Sequence, residues 1–304
     1  MKYTFMKDHE ENFSIERMSY MFQVSRSGYY RFVTSKPSTR EVENIRLLEK
    51  IKVIHQANRQ VYGSPRIHGE LCLEGENCSR KRVAKLMKKE GLQAKMKRRF
   101  KVTTQVDPLA KKAPNLMLQN FTSEKPNQRW VADMTYVATA EGWLYVAAIL
   151  DLFSRRIVGL AMSERMTADL VKHALKQAIT HRKPDEGLIH HSDKGSQYTS
   201  HAFQKEIAKN KMISSMSGTG NCYDNAAMES FFHTLKTEHI YFESYKTREQ
   251  AKRSIFEYIE VFYNRKRSHS TLGYLSPCVR LVVTLNYYQL RELRGDQCSV
   301  IHWN

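Results

Sequence analysis

Cysteine is scarce and unpatterned. Cys72, Cys78, Cys222, Cys278 and Cys298 are odd in number and include no CxxC pair. No metal-ligand spacing emerges from them, so they read as reduced cytosolic thiols rather than a disulfide framework or a zinc site. Long apolar runs are missing as well. No stretch approaches the roughly 20 residues of a membrane helix, and the first residues lack a signal-peptide core. These absences exclude a spanning protein, and the cytoplasm is the expected location, with no membrane partner. Acid is the third shortage. Against 49 Lys+Arg stand only 31 Asp+Glu, a net charge of +18.

Such a balance points to a polyanionic partner, nucleic acid first and an anionic membrane second. The excess is uneven. Residues 1–120 carry 25 basic and 12 acidic side chains, leaving 24 and 19 for the rest, so net charges of +13 and +5. With 304 residues, 41% of them hydrophobic, the chain is long enough for two domains or one large domain with attachments, and can bury a core.

The first residues are polar and expected to be loose. Phe13 to Phe22 is a short apolar-periodic segment, Gln23-Val-Ser a turn, and Arg26-Ser-Gly-Tyr-Tyr-Arg-Phe a second segment. Together they read as a compact helix-turn-helix or as a small helical packing arm. Ser38 with Glu41 forms a capping box for a helix running to about His55, with Ile45, Leu48 and Ile51 on one face. Farther on, Ser64 can cap and Pro65 fits the first helical position. Gly75-Glu-Asn breaks that helix, Ser79 caps another, and Gly91 closes it. On this last helix Val83, Leu86 and Met87 share one side, and Lys81, Arg82, Lys85, Lys88 and Lys89 the other. Lys95, Lys97, Arg98, Arg99 and Lys101 extend the stripe, and Glu90 is the only acid between Arg80 and Lys101. The stripe is either a solvated face or a set of phosphate contacts, and its density favours phosphate.

Residues 102–128 contain Asp107-Pro, Ala113-Pro-Asn and Glu124-Lys-Pro-Asn and read as a linker. Strands are expected over Gln128–Val137, Trp143–Asp151, Arg156–Met162, Leu188–His191 and Met212–Met216. Helices are expected over Thr167–His181, Thr199–Asn210, around Glu229, and from about Arg248 to Asn264. The short connections among the first three strands favour an antiparallel meander. Gly218-Thr-Gly-Asn reads as a mobile loop.

Within these elements three carboxylates stand out. Asp133 lies inside the apolar run Arg129-Trp-Val-Ala-Asp-Met-Thr-Tyr-Val. Asp193 ends the run into His190-His-Ser-Asp-Lys-Gly, and Glu229 follows after 35 intervening residues, in Asp224-Asn-Ala-Ala-Met-Glu-Ser-Phe-Phe. An unpaired buried charge is costly, and a cation is one way to neutralise it. Three hard oxygen donors suit magnesium or manganese. Taken singly, Asp133 also reads as an Asp at an edge-strand bulge, Asp193 as a turn Asp before Lys-Gly, and Glu229 as an exposed helical Glu. Asn225, Glu229, His233 and Lys236 share a polar face opposite Met228, Phe231 and Leu235, with Asp224-Asn225 as the expected cap. His190 reads as a core or supporting residue, His191 as a border of the site, and Asp151 as a turn Asp paired with Arg155 or Arg156.

With these flanks, Asp133, Asp193 and Glu229 resemble the acidic triad of DDE transposases and retroviral integrases. The words Trp130-Val-Ala-Asp-Met-Thr-Tyr, His191-Ser-Asp-Lys-Gly-Ser-Gln-Tyr and Asp224-Asn-Ala-Ala-Met-Glu-Ser-Phe-Phe resemble the orfB-type transposases of bacterial insertion sequences. So do Tyr62-Gly-Ser-Pro-Arg-Ile-His and Asn264-Arg-Lys-Arg-Ser-His-Ser-Thr-Leu-Gly-Tyr-Leu-Ser-Pro, where Ser268 stands at a usual proline. The resemblance runs from about Phe13 to Pro277, and the tail departs from it, strand-like or helical without a clear period.

The resemblance implies an α/β fold. A ribonuclease H-like core with a mixed five-stranded sheet would follow an α-helical, helix-turn-helix-like DNA-binding region. Strands one and four would lie side by side and parallel, bringing Asp133 and Asp193 together near one edge of the sheet. The implied division is 1–57 helical, 58–101 basic and DNA-binding, 102–124 linker, 125–280 catalytic core and 281–304 tail. The triad would be catalytic and would hold two Mg2+ or Mn2+ ions, Asp133 bridging both. Arg66, Arg80, Lys81, Arg82, Lys85, Lys88, Lys97, Arg98, Arg99, Lys236, Arg265 and Arg267 would contact DNA, and His269 could reach phosphates too. The implied activity is strand cleavage and strand transfer at the ends of an insertion sequence. The implied partners are double-stranded DNA, an upstream-frame protein of the same element, and further copies of the chain as a homo-oligomer on DNA. No sustained heptad is present for a zipper. A non-catalytic DNA-binding regulator and a plain metal-dependent nuclease are the alternatives.

Overall fold

The computed structural model describes residues 1–95, 113–117, 121–217 and 225–294. Two compact units emerge, residues 1–53 and 54–304. The expectations placed on Lys97, Arg98, Arg99, Lys101, Asp107, the Gly218 loop, Asp224, Cys222 and Cys298 lie outside the described residues.

The first unit begins with α1, Lys2–Asp8, where the sequence reading expected a loose end. Met6 explains the difference. It is fully buried and joins Met18 and Tyr29 in a small core with Tyr3 and Ile15 against it. The two expected segments form helices, α2, Ile15–Phe22, and α3, Arg26–Thr34. Between them Gln23 takes a left-handed backbone at φ 52°. Ser14 and Ser25 cap the two helices by accepting from Arg17 N and Gly28 N. Gly28 lets α1 come close, since a Cβ there would stand 2.2 Å from the Tyr3 hydroxyl unless that side chain moved. Next, α4 spans Thr39–Ala57, and the unit boundary falls within it. The capping box forms: Glu41 accepts from Ser38 N at 2.7 Å, and Ser38 Oγ accepts from Glu41 N at 3.2 Å. Its buried face is Leu47, Ile51 and Ile54 rather than Ile45, Leu48 and Ile51, and Ile45 is exposed.

The second unit opens with α5, Ser64–Leu73, and α6, Arg80–Lys89. Gly63, not Ser64, is the N-cap of α5, which moves Pro65 to the second helical position. Gly75 at φ +83° and Gly91 at φ +66° end the two helices in the left-handed region, as their spacing suggested. Beyond them come β1 Arg129–Thr139, β2 Gly142–Asp151 and β3 Ile157–Ser163, an antiparallel meander. The chain then runs through α7 Ala168–Arg182, β4 Ile189–Ser192, α8 Ser196–Thr199, α9 His201–Lys209 and β5 Ile213–Met216. The helix expected over Thr199–Asn210 begins at His201 as α9, and the short α8 before it was not expected. Ser200 separates the two, capping α9 by accepting from Phe203 N.

Sheet order is β3-β2-β1-β4-β5, with β4 parallel to β1 and β5 parallel to β4. This is the mixed five-stranded sheet of the expected α/β fold. On one face Trp130, Ala132, Ala147 and Ile149 pack beneath α7 and α9 through Leu170, Leu175, Phe203 and Ile207. Contact there is intimate enough that a Cβ on Gly159 would lie 2.3 Å from the Ala174 carbonyl oxygen. After the sheet come α10 Ala226–Glu238, α11 Arg248–Glu257 with a π-helical continuation Tyr258–Tyr263, and α12 Pro277–Arg294. The tail, ambiguous in sequence, is therefore helical through Arg294.

Candidate active site

The parallel pairing of β1 with β4 runs Arg129–Ile189, Trp130–His190 and Val131–His191. Two residues farther along each strand stand Asp133 and Asp193, at the same level where β4 ends. Their meeting point is the middle of the sheet, since β1 has two strands on either side of it. That corrects the expectation of a sheet edge and removes the edge-strand bulge as an account of Asp133. Side-chain alternation puts Val131 and Asp133 on the face opposite Trp130 and Ala132. Asp133 Oδ1 accepts from Met134 N at 2.7 Å. Asp193 Oδ1 accepts from Gly195 N at 3.0 Å, so the turn geometry expected for Asp-Lys-Gly is real and also fixes the carboxylate.

Glu229 sits in the first turn of α10 and is exposed. The helix has the polarity read from its sequence, with Met228, Phe231 and Leu235 buried. Asn225 occupies the N-cap position but makes no capping bond. Its amide instead donates to the Ala132 carbonyl at 3.2 Å, tying the start of the Glu229 helix to the residue before Asp133. Two turns along the same face, Lys236 is partly buried, with its ammonium 5.4 Å from the Tyr136 ring centre.

Burial, and then the charge of Asp193, pushes the Asp133 carboxyl up to about 7; Glu229 adds to the rise, while Met134 N–H and Lys236 oppose it. Burial raises Asp193 and Glu229 as well. Tyr198, buried close by, is held well above the usual phenol range by burial and by both aspartates. The arrangement gathers more negative charge than its cations offset, which is the condition under which a bound cation is most favourable. All the donors are hard oxygens, and Asp133, Asp193 and Glu229 fit a divalent ion of the magnesium type. Among the described residues no three acidic, His or Cys side chains form a ready-made metal cluster.

Comparison with known proteins bears on this geometry. An integrase core domain model matches residues 123–222 and a second one residues 229–279, and an HTH-like domain model matches residues 42–100. A 31 kDa protein of insertion element IS600 from Shigella sonnei is 48% identical over 86% of this chain and 96% of its own length. Transposase InsF of insertion sequence IS3A from Escherichia coli strain K12 is 40% identical over 91% of this chain and 97% of its own. The chain belongs to the insertion-sequence transposases. A solved chain of the simian T-cell lymphotropic virus intasome aligns over 84% of this transposase and 78% of its own length, at 12% identity and a TM-score of 0.44.

The basic residues of the transposase separate into two kinds. On α6, Val83, Leu86 and Met87 are buried while Arg80, Lys81, Lys85, Lys88 and Lys89 are exposed and Arg82 is half-buried, the division read from the sequence. Arg265 is also exposed. Arg267 is not, and the expectation that it reaches DNA is corrected here. Only 3% of its side chain is accessible, and it grips Glu238 through Nε and Nη2, both at 2.8 Å. Arg66 reaches the same carboxylate at 2.9 Å, and Tyr258 donates to it at 3.0 Å. His269, next to this cluster, is held well below its usual range by burial and by Arg267, so it is neutral and no phosphate cation. Ser268 N donates to the buried Tyr62 hydroxyl at 2.6 Å, a bond that proline at this position could not make.

Two of three further residues differ from expectation. His191 is buried and bonds Ser215 Oγ at 2.9 Å and Ser217 Oγ at 3.2 Å, fastening β5 rather than lining an open site. His190 packs edge-on against Phe203, in the core as expected. Asp151 makes no ion pair with Arg155 or Arg156; it accepts from Ser154 N, Ser154 Oγ and Asn127 N. Asn225 and Glu238 were not foreseen as organisers. Nothing in a linear pattern distinguishes a cap from a strand tie, or a surface glutamate from one buried beneath two arginines. Cys72, Cys78 and Cys278 are in no disulfide. Among the described residues no helix is long and apolar enough to cross a membrane.

Proposed function

We propose that this transposase cleaves DNA strands at the ends of an insertion sequence and joins them to other DNA, with Asp133, Asp193 and Glu229 as its catalytic and metal-holding residues. The observation that carries the reading is the level placement of Asp133 and Asp193 on neighbouring parallel strands, with Asp133 held up to about 7 by burial and its acidic neighbour. A divalent cation, Mg2+ or Mn2+, supplies Lewis acidity at phosphate oxygens and a more acidic bound water, and a pair of such ions suits in-line displacement.

The chain's own residues do the rest. Asp133, Asp193 and Glu229 would hold the ion, and with the Asp133 carboxyl raised to about 7 a bound cation would favour its ionised form. Asn225 keeps the Glu229 helix in register with β1 through the Ala132 carbonyl. Lys236 offsets part of the negative charge from the helix side. The exposed cations of α6 grip duplex phosphates, and Arg80 and Arg82 are the candidates there for reading a base edge. We extend the reading to a division of labour: residues 58–101 hold DNA, residues 125–280 do the chemistry, and the chain works in the cytoplasm. It acts as a homo-oligomer on DNA, with an upstream-frame protein of the same element as partner.

The test is incubation of the full chain with DNA carrying the two element ends and magnesium, followed by mapping of nicked and joined products. Joined products are expected, and excess chelator is expected to abolish them. Nicks without joining would leave a plain nuclease, and DNA binding without either would leave a regulator.

A further inference from the structure

A cavity of about 330 Å³ opens within the second unit beside α10. Arg66, Arg155 and Arg267 line it, and Glu238 is the one carboxylate bonded to any of them among the described residues. Three guanidinium groups line the cavity against one carboxylate bonded to them, with Asp151 acting on Arg155 only electrostatically. The three arginines are not equally committed. Arg267 is consumed by Glu238, and Arg66 spends one nitrogen on it. Arg155 has only a long bond of 3.5 Å to the Phe121 carbonyl and no carboxylate within ion-pair distance among the described residues. Its backbone is left-handed at φ 59°, a conformation that favours glycine or asparagine, yet it carries a long cationic side chain.

The position of the cavity says what could fill it. Leu150, on its wall, pairs with Val131 across β1 and β2. Val131 and Asp133 are two residues apart on the same sheet face, so the cavity opens on the face of Asp133, about 7 Å back along β1. Ala226, Ala227 and Ser230 of α10 form another wall, on the helix that presents Glu229. The first-turn amides of a helix lack intrahelical partners, and no side chain caps this end. A guanidinium fork, a second half-free guanidinium and helix amides together suit the oxygens of a phosphate.

We propose that this cavity seats one backbone phosphate of the DNA strand that runs past Glu229, with Arg155 as its principal ligand and Arg66 beside it. The proposal rests on the transposase reading above and adds a site to it. Arg155 grips the two non-bridging oxygens, Arg66 supplies the second charge, and Arg267 with Glu238 forms the rigid floor.

The experiment uses the full chain and duplexes bearing an element end, with neutral methylphosphonate linkages placed one position at a time. In the parent, one linkage near the cleavage position is expected to weaken binding about tenfold, the size of a lost hydrogen bond to a charged group. In Arg155→Gly, which suits the left-handed backbone, binding to unmodified DNA should already be weaker by that factor, and the same linkage should cost nothing more. The log-log salt slope should flatten by about 0.9. Arg155→Lys keeps the charge, so its slope should stay at the parent value while affinity falls for want of the planar fork. A phosphonate map that is identical in the parent and both variants overturns the proposal. Stabilisation of the parent by inorganic phosphate, with an unchanged phosphonate map, also overturns it, because the cavity would then serve a free anion. Metal-dependent nicking by the parent is scored alongside. Its absence would defeat the transposase reading, whereas nicking with an Arg155-independent map would defeat only the phosphate site.

Discussion

The Arg267–Glu238 pair is open to a direct test by substitution. Arg267→Met leaves Glu238 buried, 5% accessible, with only Arg66 and the Tyr258 hydroxyl to meet its charge. Burial alone would raise the Glu238 carboxyl, but the hydrogen bonds and charge of Arg267, helped by Arg66, hold it below the usual range. Breaking one side of such a pair costs about 3–5 kcal/mol, because an uncompensated charge remains inside the fold. Two charge-assisted bonds at 2.8 Å, worth about 1.5–3 kcal/mol each, lead to a similar figure. Glu238→Gln should cost a like amount from the other side. The double variant should lose less than the two single losses combined, since it strands no charge. Urea unfolding of the four proteins completes the cycle, and DNA affinity is measured well below the melting point. A fully stable Arg267→Met that binds DNA poorly would refute the reasoning and restore Arg267 as a phosphate contact.

Replacing Asp133 or Asp193 with Asn, or Glu229 with Gln, should abolish nicking while DNA affinity stays within about twofold; retained nicking in any of the three would remove that residue from the chemistry. His190 should make the fold acid-sensitive. Burial, with the charge of His191, lowers it from 6.5 to about 3. Between those values the unfolded chain takes up a proton that the folded chain refuses, so stability is full above pH 6.5 and falls by about 1.4 kcal/mol per pH unit below it. At pH 5 the loss from this residue is about 2 kcal/mol, and His190→Leu should flatten that slope in urea titrations; an equal slope in both proteins would contradict the burial argument. On α6, Lys85→Ala with Lys88→Ala should weaken binding to all DNA sequences alike and flatten the log-log salt slope by roughly two. A parent-like slope would mean a merely solvated helix face.

Much of this was legible in the linear chain. Local rules suffice where a residue's partner is within a turn or two: the Ser38–Glu41 capping box, the stops at Gly75 and Gly91, and the division of α6 into a buried and a basic face all formed as expected. Short connections were enough for the β1–β3 meander. The same local rules failed at α1, where two apolar residues, Tyr3 and Met6, find partners only in α2 and α3. They failed again on α4, whose apolar residues permit more than one face and whose buried set is Leu47, Ile51 and Ile54.

What the sequence determined by itself is therefore the inventory: which segments are helix or strand, where cations concentrate, and that Asp133, Asp193 and Glu229 stand in the flanking words of a transposase family. Tertiary structure alone decided which distant residues share a place. The parallel pairing of β1 with β4 makes Asp133 and Asp193 neighbours across 59 intervening residues. Burial likewise decided that Arg267 belongs to Glu238, while Arg155, in a left-handed turn, has no ion pair among the described residues. The physical reason is range. Capping, periodicity and turn preference act over a few residues and are written in order along the chain, whereas desolvation and charge pairing act through space and have no address in sequence until the sheet closes.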